Sequence, residues 1–191
     1  MYESVYESIV SFFSTRLPIA VFIFLKLFGK NEFAVTPLFQ DSIQNPTGCN
    51  SFTYQAPYTI PDSMLTKLDW NRSDSIMLVV FDDKIKEERH IKFGQIQRIR
   101  EEFDSEKFSI WCIVEKGEAK WLSTFSYPIK IYELSHDAFT TTRNCIFLLP
   151  ESDDAVIIDS KKRIRGQYDL DSMEDGDRLV VHEMNILFRR Y

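Results

Sequence analysis

A chain of 191 residues, 44% hydrophobic and 27% charged, has the composition of a folded globular protein, with room for one ordinary core and not two. Its net charge of −6 and pI near 5.2 argue against a nucleic-acid binder, which needs a basic surface to displace counterions. Three scattered cysteines, Cys49, Cys112 and Cys145, share no CxxC or CxxxC spacing and fit neither a zinc site nor a disulfide framework.

The first element is Ile9–Phe28, IVSFFSTRLPIAVFIFLKLF, about 20 residues and so about the span of a bilayer core. Arg16 and Lys26 interrupt it; an arginine near the middle of a spanning helix costs about 2.5–3.5 kcal/mol unless the frame shifts and it snorkels. No small-residue cleavage site follows, so the segment reads as a retained membrane anchor rather than a cleaved signal. A buried or amphipathic helix packed on the domain is the alternative. Basic residues on both sides leave the orientation open.

Residues 30–62 carry the punctuation of an extended connector: Pro37, Asn45-Pro46, Gly48, Pro57 and Pro61. Ser51–Tyr54 and Tyr58–Ile60 alternate and suggest an N-terminal hairpin. The domain proper is expected over 63–191. Ile76–Phe81 and Phe108–Val114 are continuous apolar runs, suited to parallel strands buried on both faces. Between them His90–Phe103 has helical spacing, with Ile96, Ile99 and Phe103 on one face. That strand–helix–strand order predicts a parallel crossover. Ile129–Leu134 alternates as a third strand.

The last quarter is the most telling. Ala155–Asp159 reads as a buried strand, Ser160–Lys162 as a tight turn and Arg163–Asp169 as a second strand. Asp171-Ser-Met-Glu174 then opens a helix with a capping-box pattern, followed by a stripe of Val180, Met184, Leu187 and Phe188. The predicted fold class is α/β, thioredoxin-like: a mixed central sheet with helices on both faces, preceded by a hydrophobic helix over 1–29.

The wording "VIIDSKKRIRGQYD…DRLVVHEMNILF" resembles the membrane-anchored Sco/SenC family, copper-handling thioredoxin-fold proteins of respiratory oxidase assembly. The resemblance implies an anchor with its N-terminus inside and the domain on the extracytoplasmic side, where spare cysteines can be oxidised. It also implies a CPxxCP-type motif after the first core strand and a histidine before the Ile-Asp strand, which together bind copper. Anchoring on Phe81 puts Lys84 and Glu88 in the cysteine slots. Counting back eight residues from Asp159 puts Glu151 in the histidine slot. A lysine ammonium offers only donors and cannot replace a thiolate, and carboxylates suit Cu(I) poorly. Copper chaperoning and dithiol chemistry by the family route are therefore unsupported, and no metal or cofactor is expected.

Other chemistry is thin. His90, Glu87 and Glu88 near a helix start form a conceivable site for a harder metal, though a charged loop of this kind is ordinarily solvated. Asp82-Asp83 and Asp153-Asp154 converge at one sheet end if the fold is right, again as a cation site or as solvated turns. Cys145 meets Cys49 in a disulfide if the N-terminal hairpin packs over the third strand, whereas Cys112 lies mid-strand like any small buried residue. His136-Asp137 and His182 are isolated. Lys161–Arg165 is too short and too flanked by acids for nucleic acid. There is no GxSxG, phosphate-cradling glycine loop or HExxH, and no small-molecule substrate is suggested. The chain reads as a non-catalytic, membrane-tethered module acting through a protein partner. The alternative is a redox or metallochaperone protein using Cys49 or Cys145.

Overall fold

The computed structural model describes residues 35–70, 76–82, 89–103, 106–119, 122 and 129–190. The expected anchor Ile9–Phe28 lies outside them. Among the described residues, no helix is long and apolar enough to cross a membrane. Val35–Tyr191 forms one compact unit.

Its helices are α1 (Asp62–Lys67), α2 (Arg89–Glu102), α3 (His136–Thr141), α4 (Met173–Asp177) and α5 (Asn185–Arg190). Its strands are β1 (Ile76–Asp82), β2 (Phe108–Glu115), β3 (Lys130–Leu134), β4 (Ala155–Asp159) and β5 (Ile164–Tyr168). Two segments coil as wider π-helix: Thr142–Ile146 continues α3, and Arg178–Met184 joins α4 to α5. The strands form one sheet in the order β3-β2-β1-β4-β5. β1, β2 and β3 run parallel; β4 is antiparallel to β1, and β5 to β4. A parallel strand–helix–strand unit thus lies beside an antiparallel hairpin that leads into a helix. This mixed five-stranded sheet with its helices is consistent with a thioredoxin-like α/β fold.

The apolar runs read from the sequence are these strands. Every residue of β1 is buried because both faces of the sheet are covered, which removes the polar alternation of a one-sided strand. On one face Leu78, Val80, Ile110 and Cys112 meet Phe93, Ile96 and Ile99 of α2 and Leu179, Met184 and Leu187 near the C-terminus. On the other, Val79, Phe81, Trp111 and Ile113 meet Met64 and Leu65 of α1, Phe139 of α3, and Phe147.

Two local expectations change. The hairpin expected over Ser51–Ile60 does not form, since residues 35–60 contain no strand. Pro57 and Pro61 deprive the stretch of ladder donors. It is instead fastened to the hairpin end of the sheet, with Leu38 N donating to Ile164 O at 2.8 Å and Ile60 N to Lys162 O at 2.9 Å. The cap of α4 is Ser172, whose side chain accepts from Asp175 N. Asp171 is drawn inward instead, toward Lys92.

Candidate functional site

At the junction where β1 runs out toward α2 stands a buried ion cluster. Asp82, the last residue of β1, and Lys92, in the first turn of α2, are both buried, and the Lys92 side chain is 0% exposed. The Lys92 ammonium lies 2.6 Å from Asp154 Oδ2, 3.8 Å from Asp171 Oδ2 and 3.9 Å from Asp82 Oδ1. Asp154 precedes β4; its backbone carbonyl accepts from Phe81 N at 2.7 Å and its Oδ1 accepts from Leu170 N at 2.9 Å. One ammonium therefore ties together β1, α2, the start of β4 and the connection from β5 to α4.

Burial alone would lower the Lys92 pKa, but Asp154, then Asp171 and Asp82, hold it above its ordinary value. Burial pushes the Asp154 carboxyl up, more than the ammonium and the Leu170 amide pull it down. The two directions share one cause, the taking of several carboxylates out of water around one cation. We regard Lys92 as charged, because three carboxylates face it within 3.9 Å. The carboxylate oxygens of Asp154, Asp169 and Asp171 lie within 4.8 Å of one another, and the ammonium supplies countercharge to two of them. Such an ammonium is neither nucleophile nor ligand; it is a fastening.

Of the Asp82-Asp83 and Asp153-Asp154 pairs, Asp82 and Asp154 do converge, buried on one cation that the sequence reading did not pick out. Asp83 lies outside the described residues, and Asp153 takes a hydrogen bond from Ser152 Oγ at 2.7 Å. Lys92 was hidden by its ordinary place in a helix. Its signal was the company it keeps: two acids at strand ends, Asp82 and Asp154, and Asp171 in the β5–α4 connection face one helix start. Lys84, Glu87 and Glu88 lie outside the described residues, as do the side chains of His90 and His182. Glu151 is exposed, on a turn before β4. That turn is held from beneath by buried Arg143, whose Nη2 donates to the carbonyls of Pro150 at 3.0 Å, Glu151 at 3.3 Å and Asp153 at 2.7 Å.

Cys49 and Cys145 are joined in a disulfide, with Cα atoms 5.5 Å apart and a sequence separation of 96. The partner of Cys145 comes from an irregular connector segment, not from a hairpin. Both residues are buried, Cys49 fully and Cys145 at 5% exposure. Cys112 is not part of a disulfide and lies buried in β2 opposite Val80. No thiol among the described residues stands in the junction cluster.

The stretch that carries the Sco-like wording turns out to be scaffolding. Asp159 ends β4 and is wholly buried. Its Oδ1 accepts from the amides of Lys161 at 2.9 Å and Arg163 at 3.0 Å, closing the turn. Its Oδ2 accepts from Arg163 Nε and Nη2 at 2.9 and 2.7 Å and from Arg165 Nε at 2.7 Å. Burial opposes ionisation there, but Arg163 and Arg165 hold the Asp159 carboxyl below its usual range. Asp159 pairs with Ile76 at the start of β1, so this cluster lies at the opposite end of the sheet from Lys92. His136 pairs with Glu115 on the surface at 2.9 Å and joins neither cluster.

No protein-family model matches the chain, and no curated protein does. Among solved structures it is similar to T. cruzi GPX1, at 11% identity and a TM-score of 0.41, over 61% of this chain and 84% of that one. It is also similar to Trgpx in its apo form, at 11% identity and a TM-score of 0.39, over 69% of this chain and 94% of that one. The fold reading rests on strand order and direction rather than on these neighbours.

Proposed function

We propose that this chain is a membrane-anchored thioredoxin-like protein, similar in layout to the Sco/SenC group of respiratory oxidase assembly, that works through protein contacts and not through a bound metal or a dithiol. The observation that carries this reading is Lys92 at the β1–α2 junction. The resemblance puts Lys84 and Glu88 where a redoxin of that group has its cysteines. The described side chains of the same junction, Lys92 with Asp82, Asp154 and Asp171, form an ion-paired fastening that offers no soft donor.

The Cys49–Cys145 disulfide supports a domain on the extracytoplasmic side, because such bonds persist in oxidising compartments. The apolar run Ile9–Phe28 supports the anchor. The same disulfide favours a second reading, a thiol oxidoreductase using Cys49 and Cys145. Its buried sulfurs weigh against that reading, because exchange needs an exposed sulfur to attack.

A disulfide-reduction assay separates the two readings. With a dithiol reductant and a disulfide-bonded protein substrate, turnover at the uncatalysed rate is expected. Sustained turnover that disappears in Cys145→Ser would replace the first reading with the second.

A further inference from the structure

We propose that the Cys49–Cys145 disulfide is a redox-sensitive brace for the Lys92 junction, acting through the π-helical turn Thr142–Ile146 and Arg143. The turn is gripped from the connector at three points. Cys49 bonds Cys145 covalently, Tyr54 Oη donates to Cys145 O at 2.9 Å, and Tyr58 Oη donates to Ile146 O at 2.6 Å. The two tyrosines satisfy carbonyls at the end of the turn, where a helix leaves acceptors without intrahelical partners.

Two residues before Cys145, Arg143 leaves the same turn and gathers the carbonyls of Pro150, Glu151 and Asp153. The next residue is Asp154, the nearest carboxylate to Lys92. The position of one buried carboxylate at the junction is thus set through a guanidinium whose own backbone is braced by the disulfide. A bridge across so long a loop also restricts the unfolded chain strongly, so it can stabilise a segment that has few ladder hydrogen bonds of its own.

The switching step is thiol–disulfide exchange with a dithiol reductant. A reductant thiolate attacks one of the two sulfurs; the S–S bond breaks and the other cysteine leaves as a thiolate that takes a proton. The reductant's second thiol then attacks the mixed disulfide. The chain ends with two thiols and the reductant with a disulfide, two electrons having passed to the chain. Because both sulfurs are buried, the segment must open locally before attack, so reduction of the folded chain is slow.

Hydrogen exchange on the full chain, oxidised and fully reduced, tests this. On reduction, protection of the amides of Asp153, Asp154 and Leu170, which bond Pro150 O, Tyr168 O and Asp154 Oδ1, is expected to fall by about tenfold or more, while β1 and β2 amides such as Leu78 and Ile110 keep theirs. Unchanged protection at Asp153, Asp154 and Leu170 in a sample that titrates as three thiols overturns the proposal. So does a loss spread equally over β1 and β2, which would make the bond a support of the whole core. Arg143→Met with the disulfide intact must loosen the same residues; if it leaves them protected, the guanidinium is not the link.

Discussion

Tyr168 folds its ring back over Gly166, two residues earlier on β5. A Cβ at position 166 would stand 2.5 Å from the ring's Cζ and 2.9 Å from its Cε2, closer than real Cβ contacts come. The glycine serves for space: any larger residue must displace a fully buried aromatic side chain. Gly166→Ala is expected to destabilise the domain by about 2–3 kcal/mol, as overpacking does. In a Tyr168→Ala background the same change should cost less than about 1 kcal/mol. Chemical denaturation of the four proteins of that cycle checks this. Equal costs in both backgrounds would place the strain elsewhere.

The hairpin carboxylate has a definite pH signature. Asp159 titrates below its unfolded value of about 3.9 because Arg163 and Arg165 favour its charged form. Its contribution is therefore complete above that value and is lost as the pH falls through the lowered folded one. Asp159→Asn leaves two guanidinium groups short of a partner and is expected to cost about 3 kcal/mol at neutral pH. Denaturation midpoints should show a constant gap between the two proteins from pH 5 to 8, closing below about pH 3.9.

Lys92 predicts the reverse slope. Removing the ammonium takes the shared cation from Asp154, Asp82 and Asp171, so Lys92→Met is expected to destabilise by about 3–5 kcal/mol. Burial already holds the Asp154 carboxyl up and does so further without its cation. A carboxyl whose folded pKa is raised contributes most in its protonated form, and the contribution is lost as the pH rises through that pKa. The variant should therefore gain stability between pH 7 and pH 4. Lys92→Met with Asp154→Asn should recover part of the loss and flatten the slope. A variant as stable as the parent at pH 7 would reduce the cluster to a surface-grade ion pair.

The sheet was legible where burial on two faces wrote itself as continuous apolar runs, as in Ile76–Phe81 and Ala155–Ile158, and where a turn was compelled, as in Ser160–Lys162. The connector was not, because the alternation at Ser51–Tyr54 and Tyr58–Ile60 reflects Tyr54 and Tyr58 reaching for the π-helical turn and not a ladder partner. The wider coiling of Thr142–Ile146 leaves no period that a helix or strand pattern detects. At the junction, Asp82 and Asp154 were visible as acids at strand ends, but Lys92 looks like any helix surface lysine until the helix is placed. Arg143 holds the turn before β4 through backbone carbonyls, which carry no sequence signal. The pairing of Cys49 with Cys145 was open in the sequence, because a separation of 96 residues fixes no distance.

The state of the cysteines can be counted directly. Protein purified and denatured without reductant should yield one reactive thiol per chain, that of Cys112, since Cys49 and Cys145 are joined. Before denaturation that thiol should react slowly, because it is buried. Three thiols under the same conditions would contradict the disulfide.

An anaerobic Cu(I) titration against a competing chelator bears most directly on a junction filled by ions and devoid of sulfur. It is run on the oxidised full-length chain and on a variant with Cys49, Cys112 and Cys145 all changed to Ser. With Lys92 and its carboxylates at the junction, neither protein is expected to take copper from the chelator. Tight, stoichiometric binding that survives loss of all three cysteines would contradict this.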